Sequence, residues 1–177
     1  MGKVLNYKDE ITDAMHYLSE QDKTIFLGQT TIYPGSVISD TLRCVDLRKT
    51  YEFPVAEEMQ VGVSTGLAMA GFIPISIFPR FDFLLCAVNQ LSNHLDVLDE
   101  LTSGQFQAHV IIRTIVGTKK PLDAGCQHCR DHTEAFRKLL KNITVFKLTD
   151  AKEVMPVYKL AYENHGASLI VEMAELY

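Results

Sequence analysis

A chain of 177 residues with 47% hydrophobic and 22% charged side chains has the balance of an ordinary globular protein and enough apolar mass for one core. Its formal net charge of -5, with no basic block, excludes electrostatic capture of nucleic acid. No apolar run reaches signal-peptide or membrane-spanning length and Asn6 breaks the myristoylation pattern of a Met-Gly start, so a cytoplasmic protein with four reduced cysteines is expected.

The elements follow in chain order. Residues 8–20 put Ile11, Met15 and Leu18 at helical spacing. Two apolar runs come next, TIFLG at 24–28 and TYEFP at 50–54, then IPISIFP at 73–79. Residues 81–98 carry a helical stripe of Phe81, Leu84, Leu85, Val88, Leu91, Leu95 and Leu98. HVIIRTIVG at 109–117 is a further run, followed by a helix over 132–141, TVFKL at 144–148, a helix over 151–165 and SLIVEMA at 168–174. Runs that do not alternate apolar with polar predict strands buried on both faces, as in a parallel sheet. Strands alternating with helices predict an α/β fold with right-handed crossovers. No repeat, low-complexity tract or linker interrupts residues 1–177, so one domain is expected.

Ligands of such sheets sit beyond the carboxyl ends of the strands. The segments there are Gly28-Gln29, Pro54 to Glu58, Pro79 to Phe83, and the loop from Gly117 to His132. That loop holds Cys126-Gln127-His128-Cys129-Arg130-Asp131-His132. Cys126, Cys129 and His132 have metal-like spacing, but a second cysteine pair is lacking, because Cys44 and Cys86 stand alone. The strand-then-motif context of a thioredoxin redox pair is lacking too. No metal ligand is assigned. Asp131 and His132 alternatively suit a helix start with a capping Asp.

Residues 53–91, FPVAEEMQVGVSTGLAMAGFIPISIFPRFDFLLCAVNQL, carry a pattern in order. Pro54-Val55-Ala56-Glu57 precedes a helix with Gly62, Gly66, Ala68, Ala70 and Gly71; a strand at 73–78 and then Phe81 and Phe83 follow. This set resembles the pyrimidine-binding domain of transketolase-type thiamine diphosphate enzymes, and most of all the beta subunits of 2-oxoacid dehydrogenases such as pyruvate dehydrogenase. The resemblance extends upstream to residues 26–35 and downstream to Gln127-His128. It implies a doubly wound, mostly parallel sheet of about six strands with helices on both faces.

It also implies roles. Glu57 would be the catalytic carboxyl that bonds the aminopyrimidine nitrogen and drives its tautomerisation. A first-turn acid that only complements the helix dipole is the plainer reading, and it suits Glu58. Val55, Glu57, Phe81 and Phe83 would bind the cofactor. Phe81 fits the core stripe better, so Phe83 is the preferred stacking residue. Gln127 and His128 would face the substrate, with His128 binding an oxygen or moving a proton. The flanking cysteines depart from the family pattern. Gly62 and Gly66 share a helix face, and each costs about 1 kcal/mol of helix propensity. Close packing on the sheet and a subunit contact both account for them.

In the family, another domain holds the diphosphate through a divalent metal, using Gly-Asp-Gly. These 177 residues contain no Gly-Asp-Gly and no transketolase C-terminal domain. The expectation is therefore the pyrimidine-binding subunit of a split enzyme. Its partner would be a diphosphate-binding subunit that holds Mg2+, joined in a heterotetramer. The substrate would be a small keto compound undergoing ketol transfer or oxoacid decarboxylation, with no nucleic acid or membrane involved. The alternative is a non-catalytic orphan domain used as a binding or regulatory module.

Overall fold

The computed structural model describes residues 5–120 and 123–177; the Met1-Gly2 start considered above lies outside the described residues. Strands β1 (Thr24–Gly28), β2 (Thr50–Glu52), β3 (Ile73–Phe78), β4 (Ile111–Val116), β5 (Thr144–Lys147) and β6 (Ser168–Met173) form one sheet in the order β2-β1-β3-β4-β6-β5. Every neighbouring pair is parallel. Each expected apolar run became a strand. The reason is visible in β4, where all six residues are buried. Alternate side chains enter opposite cores: Ile111 and Ile115 one, Val110, Ile112 and Val116 the other.

Helices cover both faces, as a doubly wound sheet requires. On one face α1 (Tyr7–Ser19) contributes Ile11, Met15 and Leu18, with Ile38 from the short α2 (Val37–Thr41). On the other lie α3 (Glu57–Met69) and a helical run from α4 (Phe81–Leu84) through α5 (Val88–Gln90) to α6 (Leu98–Leu101). The α7 helix (Thr133–Leu139) adds Phe136 to that second face, while α8 (Ala151–Glu163) returns to the first with Val154, Tyr158 and Ala161. Among the described residues no helix is long and apolar enough to cross a membrane.

The stripe over 81–98 is not one regular helix. A 3-10 turn at Leu85–Ala87 and a π turn at Leu91–Leu95 separate α4, α5 and α6. The winding follows the spacing of the buried side chains. Phe81, Leu84 and Ala87 are three apart, and Leu91 and Leu95 follow at intervals of four. Three-residue spacing tightens a helix and four-residue spacing loosens it. Leu85 falls off the stripe and is exposed.

Candidate active site

The chain runs from β1 to one edge of the sheet and from β3 toward the other. The two connections therefore diverge beyond the carboxyl ends of β1 and β3, and this opens the crevice where ligands of such sheets bind. Gly28 ends β1 with φ of 155°, and a Cβ there would lie 2.2 Å from the Ile77 carbonyl oxygen on β3. Only glycine fits. The chain then turns through Thr30, which holds a left-handed φ of 59°. Glu52, at the end of β2, holds that turn by accepting bonds from the backbone N–H groups of Thr30 (2.7 Å), Thr31 (2.9 Å) and Ile32 (3.0 Å). Burial raises the pKa of Glu52, but these donors and the Thr31 hydroxyl outweigh it and hold it below the usual range.

Gln29 thereby reaches α3. Its Nε2 donates to Glu57 Oε1 at 3.2 Å. The helix starts at Ala56 with no side-chain cap, and the two first-turn acids part company. Glu58 is exposed and accepts from Asn89 Nδ2 at 3.0 Å. Glu57 is 8% exposed, and among the described residues no hydrogen bond reaches its second oxygen. It lines a concavity of about 720 Å3 with Ala56, Met59, Gly62, Cys86 and Gln90. One turn on, the buried Gln60 donates to Ser76 Oγ (3.1 Å) and the Ile77 carbonyl (3.0 Å). That pair of bonds ties α3 to β3 and fixes the height of Glu57 above the sheet.

Val55 is 79% exposed just before this helix. Among the described residues, Gly62 and Gly66 meet no neighbouring backbone. A Cβ on Gly62 would come no closer than 3.7 Å, to the Gln90 amide, and one on Gly66 would meet nothing within 4 Å. Close packing on the sheet therefore does not account for them. They lie among the exposed apolar residues Met59, Val63, Met69 and Phe72.

The two phenylalanines separate. Phe81 has no exposed surface and packs on Phe136 at 5.1 Å between ring centroids. It lies enclosed in the core, as its place on the helical stripe suggested, with no surface turned outward. Phe83 is half-buried, and its ring meets the His128 ring edge-on at 5.3 Å and 82°.

Gln127 is exposed. His128 is half-buried, and its Nδ1 is buried without a hydrogen-bond partner among the described residues. It lines a concavity of about 710 Å3 with Ser36, Arg80, Gly117, Thr118 and Lys120. Glu57 and His128 thus line separate concavities at one edge of the sheet. The thiols do not converge on a metal. Cys126 is exposed, the Cys129 thiol turns to the Thr118 carbonyl at 3.5 Å, and His132 Nε2 bonds Asp82 Oδ1 at 3.2 Å. Among the described residues no three His, Cys, Asp or Glu side chains are placed to hold a metal ion.

Gln29 and Asp82 were not singled out from the sequence as site residues. Gln29 carried a signal, its place just past the carboxyl end of β1. Asp82 carried the same kind of signal, its place past the end of β3, but its partners Arg130 and His132 are 48 and 50 residues away.

The sequence model of the family described as transketolase, pyrimidine binding domain, matches residues 3–177. The chain is 26% identical over 184 aligned residues to the pyruvate dehydrogenase E1 component subunit beta of Gracilaria tenuistipitata var. liui, covering 100% of this chain and 55% of that protein. The subunit of the same name from Cyanidium caldarium is 39% identical over 132 residues, 75% of this chain and 39% of that one. The chain thus spans about half or less of the curated relatives it matches. Among solved structures, a split-gene transketolase described as an inactive beta4 tetramer superposes with a TM-score of 0.72 at 20% identity, covering 95% of this chain and 51% of that one. The transketolase of Campylobacter jejuni gives a TM-score of 0.70 at 16% identity over 96% of this chain and 26% of that one. At these identities the structural likeness bears on the fold.

Proposed function

The chain belongs to the family of transketolase pyrimidine-binding domains, and we propose that it supplies the pyrimidine half of a thiamine diphosphate site completed by a diphosphate-binding subunit. The observation that carries this reading is Glu57. Its carboxylate stands at the start of α3, nearly buried, with Gln29 on one oxygen and the other turned to no protein donor, beside a concavity. A nearly buried carboxylate that is oriented on one oxygen and leaves the other open beside a concavity is placed to meet a ligand. A heterocyclic nitrogen that shares a proton with it would satisfy it.

The residues present suit that cofactor's pyrimidine. Glu57 bonds the ring nitrogen and holds or releases a proton there. Gln29 keeps the carboxylate oriented. Phe83, half-buried beside His128, supplies the apolar wall, and the exposed Val55 lies at the approach. When bound, thiamine diphosphate supplies a thiazolium carbon that becomes a nucleophile toward a carbonyl once its proton is lost. His128, which lines its own concavity, takes an oxygen of a small keto substrate, and Gln127 flanks it. A ketol transfer and a 2-oxoacid decarboxylation both use this arrangement.

We assign the diphosphate and its Mg2+ to the partner, in a hetero-oligomer we take to be a heterotetramer. The curated relatives are themselves named as beta subunits. The exposed apolar side of α3, with Met59, Val63 and Met69, supports a protein contact there. Titration calorimetry with thiamine diphosphate and Mg2+ tests the reading. The chain alone should bind weakly, and mixing it with the diphosphate-binding subunit should create a tight site. Tight, Mg2+-dependent binding by the chain alone would overturn it.

A further inference from the structure

We infer that Asp82 is a positioning residue for His128, acting through Arg130 as a clamp on the end of the loop that carries it. The inference rests on the reading of His128 as the group that faces the substrate. The Asp82 side chain is 3% exposed. Its Oδ1 accepts from Arg130 Nε (2.6 Å) and His132 Nε2 (3.2 Å), and its Oδ2 accepts from the Arg130 backbone N–H (3.2 Å). A buried carboxylate survives only if its oxygens are bonded, and here, among the described residues, every bond comes from residues 130–132. Burial raises the Asp82 pKa, but the bonds from Arg130 and His132 outweigh it, so the group is ionised at neutral pH.

The anchor is rigid for a reason outside the loop. Phe81, next to Asp82, is locked in the core between Phe136 and the edge of His132. Phe83, on the other side, touches the His128 ring. One three-residue segment therefore holds the loop at His128 and again two residues later at Arg130. A third hold is at the end of β4. A Cβ on Gly117 would lie 2.0 Å from the His128 carbonyl oxygen, so the loop backbone lies flat on that glycine. Arg130 itself is 57% exposed and has no other work in the core. Its bond to a buried acid reads as a restraint on the loop. A misplacement of about 1 Å in a reacting group can cost roughly a hundredfold in rate, which makes such a restraint worth keeping.

Histidine ring NMR on the chain reads the clamp without turnover. The six histidines give separable ring signals, and His128→Asn assigns the one that matters. Asp82→Asn should move the His128 signal toward that of free histidine and abolish its cross-peak to Phe83, while His16 and His109 stay put. Arg130→Gln, which leaves the bonds to Asp82 from the Arg130 backbone N–H and from His132 in place, should do the same to a smaller degree. A His128 signal and Phe83 cross-peak unchanged in both variants would overturn the inference. In the complex with the diphosphate-binding subunit, Asp82→Asn should lower kcat roughly ten- to a hundredfold, and add little once His128→Asn is present. Full additivity of the two losses would also overturn it. Unchanged turnover in His128→Asn alone would instead remove the reading of His128, and the NMR result would still decide the clamp.

Discussion

The carbonyl oxygen of His128 stands where a side chain on Gly117 would begin, 2.0 Å from the position of a Cβ, with the carbonyl carbon at 3.0 Å. The obstacle is backbone, so it cannot swing aside as the tip of a long side chain would. Gly117→Ala must lift the loop off the end of β4. We expect a loss of about 1–3 kcal/mol in urea unfolding, the usual range for overpacking, together with a displaced His128 ring signal. An alanine variant with wild-type stability and an unmoved signal would show that the loop does not rest on Gly117.

Glu52 gives the turn after β1 a pH dependence. Its pKa is lowered because three backbone N–H groups and the Thr31 hydroxyl outweigh the effect of burial. The folded pKa lies below the unfolded one, so its contribution is complete above the unfolded value of about 4.3 and is lost as pH falls through the folded value. Glu52→Gln should cost about 1–3 kcal/mol near neutral pH, since an amide cannot accept at both ends. Urea melts at a series of pH values should show the two proteins converging as the medium becomes more acid. Curves that stay parallel would exclude this role.

What could be read from the sequence, and what could not, divides along a physical line. The strands were legible because burial on both faces leaves an unbroken apolar run, as in Ile73–Phe78. The family pattern around Glu57 was legible because its members follow one another along the chain. The five-residue α2 and the 3-10 turn at Leu47–Lys49 were not, because neither is long enough to establish a period. Their signals lie in the caps Ser36 and Asp46, each of which accepts a backbone N–H. The stripe after Phe81 predicted a helix but not its changes of winding, which depend on what the sheet presents beneath it. The links from Gln29 to Glu57 and from Asp82 to Arg130 join residues 28 and 48 apart, and no local pattern encodes such a meeting.

Arg113 on β4 and Glu172 on β6 form a fully buried pair, with bonds of 2.7 and 3.0 Å. Tyr158 donates to the same carboxylate at 2.5 Å, and the Tyr177 hydroxyl also bonds it. Arg113 reaches Thr41 Oγ1 at 2.9 Å, which ties α2 to the sheet. Removing one partner strands the other charge. Glu172→Leu should therefore cost about 3–5 kcal/mol, and the double variant Glu172→Leu with Arg113→Met should recover most of it. A double-mutant cycle in urea measures the coupling. A double variant as unstable as the sum of the singles would show that the pair acts through packing and not through charge.

The catalytic proposal turns on which of two adjacent carboxylates does the work. Glu57 is nearly buried, oriented by Gln29 and open to a ligand at its second oxygen, whereas Glu58 is exposed and spends a bond on Asn89. Glu57→Gln keeps the shape and some of the hydrogen bonding but cannot exchange a proton in the same way. In the complex with the diphosphate-binding subunit, that change should slow loss of the thiazolium proton by roughly two to four orders of magnitude, the range for a lost acid–base group. Cofactor affinity should fall far less, because on the proposed reading the diphosphate contacts belong to the partner. Glu58→Gln is the control, and it removes only a surface acid from the first turn of α3. Hydrogen–deuterium exchange at the thiazolium carbon, quenched within milliseconds and read by NMR, isolates this step from substrate chemistry. If Glu57→Gln exchanges as fast as wild type, or if Glu58→Gln is the slower of the two, the proton passes through another group and Glu57 is a helix-start acid like its neighbour.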